Sequence, residues 1–165
     1  MTSVLVGYAS THGSTRTIAE RIGARLGADV RSLDEVEDPG AYDAFVLGSA
    51  VHGQAWLPEA AGFVRANRGL LAGRPVWVFS VGMPGALSGP WKLLAGKEEP
   101  KVIAEVRAAL RPRGHRLFSG VVSRDHFPPA GRLMFRLMGC RYGDYRDWAA
   151  VDAFTDEIAR ALTGA

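Results

Sequence analysis

The chain has 165 residues, 47% hydrophobic and 22% charged, the size and balance of one soluble globular domain with enough apolar mass for a real core. Its net charge of +3 is too mild to mark a nucleic-acid binder, and its lone cysteine, Cys140, excludes an intrachain disulfide and argues against a thiolate metal site. No apolar run approaches the roughly 20 residues that span a bilayer, and "MTSVLVGYAS" has no basic leader, so a cytoplasmic protein is expected.

The first element is "SVLVGYA", residues 3–9, an apolar run rich in β-branched residues and too short for a helix, which predicts a buried strand. From Ser14 onward, Ile18, Ile22 and Leu26 recur beside Ala19 as one face of an amphipathic helix, and Gly27 supplies a stop. "DVRSL" (29–33) predicts a second, weaker strand, and "AFVLGSA" (44–50) a third. Pro58 opens the next helix, with Ala61, Phe63 and Val64 inward. "RPVWVFSV" (74–81) is the fourth strand. Pro100 opens a helix with the stripe Val102, Ile103, Val106 and Leu110, and "RLFSGVV" (116–122) is the fifth strand. Asp147 caps a last helix, whose inner side is Trp148, Val151, Phe154 or Thr155, Ile158 and Leu162.

Strands that alternate with helices and are apolar on both faces predict a parallel sheet covered on both sides, in one α/β domain over residues 1–165. Two stretches depart from the alternation. Residues 82–99 are rich in Gly and Pro. Residues 123–146 carry Arg124, Arg132, Arg136, Arg141 and Arg146 against Asp125 and Asp144, and "GRLMFRLMGCR" within them has the composition of a short basic amphipathic helix.

In an open parallel sheet, ligands bind beyond the carboxyl ends of the strands, where the strand order reverses. The loop after the first strand, "STHGST", meets a helix N-terminus there. Ser10, Thr11, Ser14 and Thr15 offer hydroxyls, Gly13 permits close backbone approach, and the helix start adds free N–H groups and a positive dipole end. These features suit an anion such as phosphate. An ordinary capped helix uses the same residue types, so the loop alone leaves both readings open.

This loop on this strand–helix alternation resembles the flavodoxin family, whose phosphate loop commonly reads hydroxyl-x-Thr-Gly-x-Thr. Here His12 stands where the family usually has threonine. The resemblance implies a three-layer sandwich with five parallel strands in the order 2-1-3-4-5. It implies FMN, or a deazaflavin in its place, with its phosphate on Ser10, Thr11, His12, Gly13, Ser14 and Thr15. It further implies that Ser49, Ala50, Val51, His52, Gly53 and Trp56, after the third strand, flank the isoalloxazine ring. Ser80, Val81 and Gly82, after the fourth, would do the same, with Gly85 allowing close approach and Trp91 covering the site. His12, His52, His115 and His126 show no metal-binding spacing, so no metal is expected.

Electron-carrying flavodoxins are usually acidic, and this chain is basic. "STHGSTRTIA", "RLMFRLM" and "GDYRDWAAVDAF" resemble the menaquinone-dependent protoporphyrinogen IX dehydrogenases, flavodoxin-like FMN enzymes with a helical insert at the same place. That resemblance implies an oxidoreductase that takes electrons from a reduced substrate such as a porphyrinogen and passes them to a quinone or a protein acceptor. Arg132, Arg136 and Phe135 would meet substrate or an anionic membrane, at its inner face. The same segment could instead form half of a homo-oligomer contact, and the alternative function is a soluble electron carrier. His126 is a candidate proton acceptor, although a surface position is the better account of it.

Overall fold

Side-chain alternation along the strands sorts the apolar residues onto two faces of one sheet. The structure, a computed structural model, describes residues 1–83, 86, 90 and 103–164. The expected roles of Gly85, Trp91, Pro100 and Val102 lie outside the described residues.

The strands are β1 (Val4–Ala9), β2 (Asp29–Ser32), β3 (Ala44–His52), β4 (Ala55–Trp56), β5 (Val76–Gly82), β6 (Gly114–Ser119), β7 (Val121–Val122) and β8 (Gly143–Asp144). The helices are α1 (Ser14–Leu26), α2 (Pro58–Ala66), α3 (Arg68–Ala72), α4 (Ala104–Ala109), α5 (Pro129–Leu137) and α6 (Trp148–Thr163). The main sheet runs β2-β1-β3-β5-β6, all parallel, with β4 folded back antiparallel on the end of β3. Setting β4 apart, this is the expected order 2-1-3-4-5.

One face of the sheet presents Leu5, Phe45, Leu47, Val76 and Val78 to α2, α3 and α4, which add Phe63, Val64, Leu71 and Val106. The other presents Val6, Val46, Trp77 and Phe79 to α1 and α6, which add Ile18, Ile22, Val151, Phe154 and Ile158. Buried strands with apolar residues on both faces are what such a three-layer packing requires. Gly27 ends α1 in the left-handed conformation at φ 62°, and Asp147 caps α6 by accepting from the Ala150 N–H at 3.0 Å.

The expected fifth strand, 116–122, divides in two. Gly120 gives its N–H to the Gly82 carbonyl, and a Cβ there would lie 2.9 Å from Ser14. The chain leaves the main sheet at this close approach. Val121 and Val122 then pair antiparallel with β8, which starts a small separate unit. That unit has its own core of Val122, Phe135 and Cys140, with Phe127, Met138 and Tyr145 packed on it. Among the described residues, no helix is long and apolar enough to cross a membrane.

Candidate functional site at the carboxyl end of the sheet

Residues 10–15 join β1 to α1. The Gly13 N–H donates to Ser10 Oγ at 3.0 Å, which curls the loop. Gly13 is the N-cap of α1, in the left-handed region at φ 92°, and no side chain caps the helix from this position. The first-turn N–H groups, which have no partner within the helix, therefore face outward uncapped at the positive end of the dipole. A Cβ at Gly13 would meet nothing within 4 Å, so the loop borders open space. Thr11 and His12 are exposed, Ser10, Gly13 and Ser14 half-buried, and Thr15 forms the buried floor. Residues 10–15, which are expected to hold an anion, thus form one curled turn at the start of α1. Ser14 also anchors the insert to the loop, since its Oγ accepts the Val121 N–H at 2.9 Å. Arg146, from the far end of the insert, donates to Thr17 Oγ1 at 3.1 Å.

The loop after β3 is a tight hairpin. Gly53 and Gln54 both have positive φ, 56° and 63°, the geometry that lets two residues join β3 to β4 without opposing the strand twist. His52 and Gly53 stand exposed at its tip, while Ala50 and Val51 are half-buried. Pairing of Val51 with Trp56 turns the indole inward, and Trp56 is only 6% exposed. This corrects the expectation that Trp56 offers its ring to a ligand, because the apolar layer under α2 is the better environment for it. Trp56 Nε1 donates to Ser80 Oγ at 2.8 Å, and Ser80 Oγ lies 3.0 Å from His115 Nε2. With its oxygen accepting from Trp56, Ser80 donates to a neutral His115. Burial above all, then the Arg107 and Arg116 charges, pushes the His115 pKa down to about 4.

Ser49 is equally committed, accepting the Leu57 N–H at 3.0 Å and donating to the Ala50 carbonyl at 2.8 Å. Ser49, Ser80 and Val81 are buried, so their side chains build the wall, and only main-chain groups at these strand ends border the site. Gly82 is half-buried at the end of β5.

Three histidines meet at this end of the molecule, which sequence spacing did not reveal. The His12 ring stacks on His126, with centroids 3.8 Å apart and planes at 12°, and His52 stands 6.5 Å from His12 at 44°. Thr11 Oγ1 holds His52 Nε2 at 3.3 Å. His126 Nδ1 accepts the Ser123 N–H at 3.3 Å. Partial desolvation, then the proximity of His126 and His52, lowers the pKa of His12. The available signal was topological, since each histidine sits in a segment that leaves the carboxyl end of a strand. Among the described residues, no group of three or more His, Cys, Asp or Glu side chains is arranged to hold a metal ion.

The insert presents two unlike faces. Phe135 is buried between Val122 and Cys140, with the Tyr142 ring stacked 4.8 Å away. This corrects the expectation that Phe135 meets substrate or membrane, because the small core of the insert claims it. Leu133, Met134 and Leu137, at 61%, 59% and 74% exposure, form the outer face. Arg136 is exposed beside them, whereas Arg132 spends its Nε on the Arg124 and Phe127 carbonyls.

The family model described as a flavodoxin domain matches residues 5–147. The chain belongs to the flavodoxin family. Solved structures similar to this flavodoxin include oxidised flavodoxin 2 from Bacillus cereus, with 24% identity over 70% of this chain and 83% of that one, at a TM-score of 0.53. A flavoprotein in complex with FMN from Lactobacillus acidophilus NCFM has 14% identity over 71% and 93%, at a TM-score of 0.54. Rubredoxin oxygen:oxidoreductase from Desulfovibrio gigas has 16% identity, covering 98% of this chain and 36% of that one, at a TM-score of 0.53. These likenesses show the common fold. No curated protein sequence matches the chain.

Proposed function

We propose that this flavodoxin binds FMN and works as an oxidoreductase of the protoporphyrinogen dehydrogenase type, moving electrons from a reduced, anionic substrate to a quinone. The uncapped start of α1 fits the flavin phosphate: outward N–H groups, the Ser10 and Thr11 hydroxyls, and a left-handed Gly13 where a side chain would be strained. The similar Lactobacillus acidophilus flavoprotein, which holds FMN, supports the same assignment. Bound FMN supplies the redox chemistry. The protein's residues hold and orient it: the loop 10–15 by the phosphate, and the main chain of residues 50–53 and 80–82 from the ends of β3 and β5.

One observation carries the enzyme reading. The insert is fastened directly to the phosphate loop, through Val121 to Ser14 and through His126 on His12, and it presents an exposed apolar face flanked by Arg136. A carrier that only offers a flavin edge has no need of such a face. A dehydrogenase working between an anionic tetrapyrrole and a membrane quinone uses both halves: arginine for carboxylates and lipid headgroups, and leucine and methionine for the acyl boundary. Such contact would place the protein at the inner face of the membrane.

Titration with FMN, followed by flavin fluorescence and the visible spectrum, tests the cofactor. Anaerobic incubation of the loaded protein with protoporphyrinogen IX and a menaquinone analogue tests the reaction, with porphyrin fluorescence expected to rise. FMN binding without porphyrin formation overturns the dehydrogenase and leaves a flavodoxin-like electron carrier.

A further inference from the structure

The phosphate loop contains no lysine or arginine, so a bound dianion would be met by neutral donors and a dipole worth roughly half a charge. Three imidazoles stand at the rim of that loop. We propose that His12 and His52, backed by His126, form a proton-linked rim that takes up a proton as the flavin phosphate enters, so that the protein selects the phosphorylated flavin and holds it more tightly as pH falls. The proposal rests on the FMN reading above.

The hydrogen bonds divide the labour. His126 Nδ1 already accepts the Ser123 N–H, so the neutral ring carries its proton on Nε2. Protonating Nδ1 would break that contact, and His126 presents its π face to His12. His12 lies flat on that face at 3.8 Å, where a neutral ring supports an imidazolium but a second imidazolium would repel it. Thr11 Oγ1 lies 3.3 Å from His52 Nε2, a contact the hydroxyl makes as donor or acceptor.

The surrounding charges leave the balance to the ligand. Among the described residues, His12 faces the imidazoles of His126, from the turn after β7, and of His52, from the end of β3. Partial burial opposes its protonation first, and positive charge on either neighbour would oppose it further. Arg124 and Asp125 flank His126 in its exposed turn. Arg16, on α1, is engaged by Glu20 at 2.8 Å. Without a ligand, the charged form of His12 is therefore disfavoured. A phosphate dianion at the adjacent helix start reverses the sign of the local field and favours the charged form. The pKa in the bound state then exceeds that in the free state. The added affinity is fully present below the free-state value, which for His12 lies under 6.5, and is lost as pH rises through the bound-state value.

Isothermal titration of the full chain near pH 6.5, in two buffers of different ionisation enthalpy, counts the protons. FMN is compared with riboflavin, on the wild type and on His12→Gln/His52→Gln. FMN binding to the wild type should take up about half a proton to one proton more than binding to the variant, and affinity should rise several-fold from about pH 8 to about pH 5.5 in the wild type alone. The free phosphate's own ionisation, near pH 6, is common to both proteins, so the difference in uptake reports what the two histidines add to the bound phosphate–imidazole group. Riboflavin should bind without uptake. Equal proton counts in the two proteins overturn the rim while leaving the FMN reading intact, whereas absence of FMN binding overturns that reading and the rim with it. Should the variant fail to fold, imidazole NMR titration of the wild type decides: the His12 or His52 pKa must rise on adding FMN, and unchanged values overturn the proposal.

Discussion

The Trp56 indole donates its N–H to the Ser80 hydroxyl at 2.8 Å, and both side chains are sealed from water. The pair ties the β3–β4 hairpin to the centre of the sheet. Ser80→Ala removes the acceptor and leaves a buried indole N–H unpaired, which costs about 1–3 kcal/mol. Urea unfolding of the variant should show that loss with an unchanged m-value. Wild-type stability would mean that Trp56 does not depend on Ser80.

His115 gives stability a defined pH dependence. Its pKa falls from 6.5 to about 4 on folding. Above pH 6.5 the ring is neutral in both states and costs nothing. As pH drops from 6.5 toward 4, the unfolded chain binds a proton that the folded chain refuses, and stability declines. Allowing for the solvent that still reaches the ring, the loss is roughly 1–2 kcal/mol. His115→Gln should flatten that limb when urea midpoints are compared across the interval.

Gly48 faces the ring of Phe79 so closely that a Cβ would lie 2.0 Å from Cζ. Phe79 is wholly buried under α1 and α6 and has no room to turn. Gly48→Ala should cost about 2–3 kcal/mol by overpacking. Adding Phe79→Leu should return part of it, and a double-mutant cycle of thermal unfolding would measure the coupling.

The two faces of α5 predict opposite consequences. Phe135→Ala empties the core of the insert and should destabilise it by about 3 kcal/mol, seen as faster amide exchange across residues 121–145. Leu133→Ser with Leu137→Ser touches exposed side chains and should change stability by less than about 0.5 kcal/mol. The same pair should abolish sedimentation with anionic vesicles. Arg136→Ala should weaken it and reduce its salt dependence, because exposed charges are screened.

Local signals made the framework legible. The strand and helix around the first loop need only an apolar run, a four-residue stripe and two glycines, and the structure returns β1 at Val4–Ala9 and α1 at Ser14–Leu26. The strand order came from the resemblance to the flavodoxin family, since crossover helices permit parallel neighbours without fixing which strands they are. The make-up of loop 10–15 was legible for a local reason: hydroxyls, glycine and helix start are adjacent in the chain.

What depended on distant partners was not legible. The insert is apolar on more than one side, and only the packing of Val122 and Cys140 decides that Phe135 turns in while Leu133 and Leu137 turn out. The family resemblance marks Trp56 as a candidate ring neighbour, but the register of β4 on β3 turns it onto Ser80. His12, His52 and His126 have no shared spacing, and they become neighbours because three separate segments leave the sheet at the same end. Periodicity is set by each residue's own backbone geometry, which the chain carries locally. Side-chain company is set by sheet register and by competition for buried volume, and these exist only once the whole fold has closed.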